Sequence, residues 1–101
     1  MDFGQALESI KEGGLLKRQP WGSVMAVFQR PEDKIPLTVV VENVKSLPQS
    51  VKDWLSKNTP KGEPVVFNSY LCAVDYTGCI KNGWTPSNAD MMAEDWEIIN
   101  Q

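Results

Sequence analysis

Glycine and proline cut this chain into short pieces. There are seven of each in 101 residues. Proline lacks a backbone N–H and glycine accepts left-handed backbone angles, so a chain punctuated this way makes many turns. The length suits one ordinary domain. Apolar residues make up 42%, enough for a small core. The apolar runs, such as Val24 to Phe28, are far too short to span a bilayer.

Between the breaks, periodicity suggests the elements. Phe3, Ala6, Leu7 and Ile10 form one apolar stripe at helical spacing, so Asp2 to Glu12 is expected to be a helix. Asp2 and Gln5 make a capping-box pair, and Gly13-Gly14 ends the helix. Strands are expected at Leu15–Arg18, Val24–Arg30 and Leu37–Val44, the last because of its β-branched residues. Pro31 to Pro36 reads as a charged loop. Leu47 to Lys57 reads as a shorter helix, with Val51, Trp54 and Leu55 on one face. Further strands are expected at Pro64–Asn68, Tyr70–Asp75, Cys79–Asn82 and Trp96–Ile99. The break at Asn68-Ser69 and the turn at Asp75-Tyr76-Thr77-Gly78 separate the first three of these. Asn88 to Ala93 reads as a helical turn capped by Ser87, with Asp90 three residues on. The expected fold is α+β: a small single domain with an antiparallel β-sheet, an N-terminal helix and one or two short helices.

The chain contains no histidine. That removes the commonest general acid/base and the commonest metal ligand. No Ser-His or Cys-His nucleophile pair can form within one chain, nor can Cys72 and Cys79 alone build a structural zinc site. The cysteines are expected to be reduced thiols. Ten basic and 13 acidic residues give a net charge of −3. This argues against nonspecific binding to duplex DNA, though not against a small anionic ligand. The opening residues lack a basic region followed by an apolar stretch, so a cytoplasmic protein is expected.

Trp54 and Trp96 read as core residues. Trp21 and Trp84 each adjoin a glycine at a turn, where an indole either roofs a pocket and stacks on a planar ring or covers a sheet edge. Thr85-Pro86-Ser87-Asn88 leads into a helical turn, whose free N–H groups suit a phosphate or carboxylate. The residues alone favour ordinary capping there, because Asp90 already complements the dipole. Asp90, Glu94, Asp95 and Glu97 could supply carboxylates to a metal, but their spread over two elements favours a solvated face.

The run from Gly83 to Ile99, GWTPSNADMMAEDWEII, resembles the ending of the phage-encoded Thoeris anti-defence proteins of the second type. The start resembles that family too: Phe3-Gly4-Gln5-Ala6-Leu7, Ile10-Lys11-Glu12-Gly13, then Arg18 and Trp21. The middle of the chain carries no matching motif and reads as a variable insertion around residues 31–61 of a domain covering 1–101. The resemblance implies a homotetrameric, non-enzymatic sponge acting in the cytoplasm of an infected bacterium. It would sequester a cyclic ADP-ribose isomer without cleaving it, with cyclic dinucleotides held at a separate site in some members. No cofactor, metal, nucleic-acid polymer or membrane is implied. Residue by residue, Trp21 and Trp84 would stack on adenine or flank ribose, with Phe3 walling the pocket from a neighbouring chain. Thr85, Pro86, Ser87, Asn88 and Asp90 would form the polar loop, and Arg18 would take the family's basic position. In that loop Ser87 and Asn88 would face phosphate, while Asp90 would accept from ribose or base, or only cap the helix. The rival expectation is a protein-binding inhibitor that contacts a defence enzyme directly through the charged middle of the chain.

Overall fold

The computed structural model describes residues 1–99. The chain runs α1 (Phe3–Lys11), β1 (Leu16–Arg18), a 3-10 turn (Gln19–Trp21), β2 (Met25–Arg30), β3 (Asp33–Ile35), α2 (Leu37–Asn43), α3 (Gln49–Asn58), β4 (Val65–Phe67), β5 (Tyr70–Asp75), β6 (Ile80–Asn82), α4 (Asn88–Met92) and β7 (Trp96–Ile98). These elements form two compact units. Residues 1–31 and 69–99 make the first, and Glu32–Asn68 makes the second.

In the first unit five antiparallel strands lie in the order β6-β5-β2-β1-β7. Leu16 faces Val27, and Val27 faces Ala73, so three side chains on three strands share one side of the sheet. Ala6 and Ile10 of α1 pack on that side together with Trp96, and all six residues are buried. Helix α1 starts where its capping pair stands. Asp2 Oδ1 accepts from the Gln5 N–H at 2.8 Å, and Gln5 Oε1 accepts from the Asp2 N–H at 3.0 Å. It ends as Gly13 donates to Ile10 O at 3.0 Å and Gly14 to Ser9 O at 2.8 Å, a Schellman closure. A Cβ at Gly14 would lie 2.7 Å from Ser9 O, so only glycine allows this close return. The β5–β6 hairpin turns on Asp75, whose Oδ1 accepts from the N–H groups of Thr77 and Cys79 at 2.9 and 3.1 Å. Both cysteines are unpaired thiols.

The second unit corrects two sequence-based expectations. Leu37–Val44 was expected to be a strand, yet Leu37–Asn43 is helix α2. β-branched residues are only slightly disfavoured in a helix, and burial decides the matter. Leu37, Val40, Val41 and Val44 recur at i, i+3, i+4 and i+7, and these four are the residues turned inward. Pro36, at the N-cap with φ −53°, gives the helix its start. The expected loop at Pro31–Pro36 contains β3, which pairs antiparallel with β4 through Lys34 opposite Val66. Fold class is otherwise as expected: α+β, with antiparallel sheets and, among the described residues, four helices where three at most were expected.

Trp54 is also corrected. It was expected in a core, but 67% of it is exposed. Helix α3 packs on the short α2 and buries none of its residues fully. Two helices of ten and seven residues leave too little surface to cover an indole. Trp54→Ala should therefore change unfolding free energy by less than about 0.5 kcal/mol. Trp96→Ala should cost about 3–5 kcal/mol. Urea denaturation of the two variants checks this, and equal losses would contradict it.

Candidate functional site

The turn following β6 begins at Gly83, whose φ of +77° is a conformation that favours glycine. Trp84 is then anchored by its main chain, donating to Leu71 O of β5 at 2.8 Å. Ser87 caps α4 as the sequence suggested. Asp90 N–H donates to Ser87 Oγ at 3.0 Å, and Asp90 Oδ2 accepts from Ser87 N–H at 2.9 Å. Both halves of the box are local, so this part of the site was readable in the spacing alone.

Three tryptophans meet beside this turn. Trp21 lies edge-to-face with Trp84, ring centroids 6.0 Å apart, and with Trp96 at 5.3 Å. Trp84 and Trp96 are 6.3 Å apart at a similar angle. Such tilted pairs set the positive ring edge against the negative face. Trp96 is buried, as expected, while Trp21 and Trp84 are half-buried and pack against the core. Phe3 leans on Trp96 of its own chain at 5.6 Å. Thr85, Ser87 and Asn88 are exposed, and Pro86 and Asp90 are half-buried.

Arg18 is spoken for within the chain. In the β1–β7 ladder it stands directly opposite Trp96, next to Asp95 in the sequence. Its Nε and Nη2 donate to the two carboxylate oxygens of Asp95 at 3.0 and 3.2 Å, and its Nη1 donates to Asp90 Oδ1 at 3.1 Å. Trp96 Nε1 donates to the Asp90 main-chain O at 2.9 Å. Asp90 and Asp95 were expected on a solvated acidic face. Instead the strand register delivers a guanidinium between them, while Glu94 and Glu97 stay exposed. Among the described residues no three acidic or cysteine side chains gather as a metal site. Arg18, Trp21, Trp84, Ser87 and Asp90 are thus linked, with Trp96 and Asp95 as members that sequence spacing did not single out, while Pro86 lies half-buried in the same turn.

The hydrogen bonds set the charge states. The two-point bond from Arg18 holds Asp95 below the usual carboxylate range against the opposing effect of burial. Burial pushes the Asp90 carboxyl upward, but the hydrogen bonds from Ser87 and Arg18 outweigh it and hold the group low. The paired carboxylates raise Arg18 above its already high value.

A family model described as the Thoeris anti-defense 2-like domain matches residues 1–99. The chain belongs to the Thoeris anti-defense 2-like family. The protein called Thoeris anti-defense 2 from Bacillus phage SP01 is 27% identical over 101 residues, covering 99% of this chain and 96% of that relative. The resemblance seen at the two chain ends therefore extends across this family member.

The Arg18 cluster gives this family member an acid limb. Both carboxylates titrate lower folded than unfolded, so the unfolded chain takes up protons first as pH falls. Their stabilisation is complete above the unfolded value of about 3.9 and is lost as pH drops through the folded values. Asp95→Asn should lower the thermal midpoint at neutral pH and flatten its fall below about pH 4. Asp75, also held low by Thr77 and Cys79, keeps part of that slope in the variant. An unchanged acid limb in melts across this range would remove Asp95 from the linkage.

Proposed function

We propose that this chain binds an isomer of cyclic ADP-ribose and holds it uncleaved, as a phage protein that blocks bacterial Thoeris defence in the host cytoplasm. The match of the family model to residues 1–99 carries the reading. The grouping of Trp21 and Trp84 beside the 83–90 turn supports it. Both indoles are only half-buried, and an adenine stacked on one of them would gain about 1–3 kcal/mol. The exposed Thr85, Ser87 and Asn88, with the N–H groups at the start of α4, would meet ribose hydroxyls and phosphate. Three of the five guanidinium donors of Arg18 point to carboxylates, leaving two for the ligand. Asp90 would hold the turn in shape as well as face the ribose. Phe3 is half-buried against Trp96 of its own chain, and would wall a neighbouring protomer's pocket as well. The working unit is a homotetramer with pockets between protomers. Sequestration needs tight binding and no bond chemistry, which suits a chain without histidine.

One observation favours the rival reading of a protein-binding inhibitor. Trp54 stands exposed on α3, inside the separate compact unit Glu32–Asn68. Exposed tryptophans are frequent anchors of protein interfaces. Trp54→Ala separates the readings, since it should leave nucleotide retention intact.

To test the proposal, purified protein is incubated with cyclic ADP-ribose isomers, freed of unbound ligand, then heat-denatured. Intact nucleotide of unchanged mass should be released. Release of nothing, or of a cleaved product, would contradict the reading. Light scattering should give the mass of four chains, and extending the ligand panel to cyclic dinucleotides reads a second site. Trp84→Ala should weaken binding at least about tenfold, the equivalent of ~1.4 kcal/mol.

A further inference from the structure

We propose that Asp95 is a positioning residue for this site, fixing Arg18 and, through Arg18 and Asp90, the turn that carries Trp84. The inference rests on the nucleotide-binding reading and adds to it a side chain that touches no ligand. Asp95 grips Arg18 at two points, Oδ1 on Nε at 3.0 Å and Oδ2 on Nη2 at 3.2 Å. A two-point bond of this kind fixes the plane of the guanidinium as well as its place. The third bond, from Nη1 to Asp90 Oδ1 at 3.1 Å, hands that fixed plane on to the turn. Asp90 belongs to the turn three ways. Its other oxygen holds the Ser87 N–H, its own N–H donates to Ser87 Oγ, and its main-chain O receives Trp96 Nε1. One N–H on each Nη of Arg18 remains unspent, and the Asp95 grip sets where those two point.

This cluster is partly shielded from solvent. The side chains of Arg18, Asp90 and Asp95 are 19%, 14% and 30% exposed. Water cannot replace a lost partner there as freely as on an open surface. The sign of the charge makes the inference decidable. Arg18 sits between two carboxylates, so the trio is net negative. If Asp95 merely screened Arg18, neutralising it would tighten the hold on a nucleotide diphosphate. If Asp95 positions Arg18 and the turn, neutralising it loosens that hold.

The experiment compares wild type, Asp95→Asn, Arg18→Lys and the double variant, as full chains. Affinity is measured for the cyclic ADP-ribose isomer that wild type retains, and amide hydrogen exchange is measured without ligand. Asp95→Asn should weaken binding about tenfold (~1.4 kcal/mol). In the Arg18→Lys background the same change should cost less than about twofold, because the two-point grip is already gone. Exchange should quicken at the Asp90 and Met91 amides, both hydrogen-bonded to Ser87, while Val27 and Ala73 in the central strands keep their protection. Equal or tighter binding by Asp95→Asn overturns the inference, and so does unchanged exchange in the turn. A wild type that retains no isomer defeats the sponge reading instead, and the exchange measurement then decides the positioning role by itself. Arg18→Lys keeps the charge, so its own loosening of the turn supplies the result should Asp95→Asn fail to fold.

Discussion

One arginine joins the two ends of this chain. Arg18 leaves β1 opposite Trp96 and is taken by Asp95 and Asp90, residues more than seventy positions later. The ladder between β1 and β7 puts these groups within reach, and the ion pairs then hold the 83–90 turn against the sheet. That turn is capped from within by Ser87 and Asp90 and tied down from outside by Arg18 and Trp96. The aromatic group of Trp21, Trp84 and Trp96 is closed by the same anchorage. Local chemistry makes the turn, and tertiary register places it.

That division explains which features could be read early. Capping boxes lie within four residues, so Asp2 with Gln5 and Ser87 with Asp90 were legible and formed as expected. The break at Asn68-Ser69 and the Asp75 turn were legible for the same reason. The guanidinium between Asp90 and Asp95 was not. It needs a strand register that no short window contains, and the carboxylates alone looked like a solvated face.

At two further places residue type and local spacing do not decide the structure by themselves. The valines of α2 suggested a strand, although Leu37, Val40, Val41 and Val44 already kept helical spacing. Trp54 shares a helix face with Val51 and Leu55, which points to a core. Amphipathic spacing gives the side that turns inward, but it does not say how much surface waits there. In a unit of this size the surface ran out before the indole was covered.

The site's side chains differ in how far they are engaged within the chain. Trp21 and Trp84 are half-buried beside the turn, while Trp96, Arg18 and Asp90 are engaged in holding it. On the nucleotide-binding reading, ligand-facing groups and supporting groups would sit side by side. Titration with cyclic ADP-ribose isomers, followed by the indole N–H signals of all four tryptophans in a proton–nitrogen NMR spectrum, tests this most directly. Large shifts are expected for Trp21 and Trp84 with one isomer, a smaller response from the buried Trp96, and none from Trp54. A spectrum in which Trp54 moves while Trp21 and Trp84 stay still would contradict this division of roles.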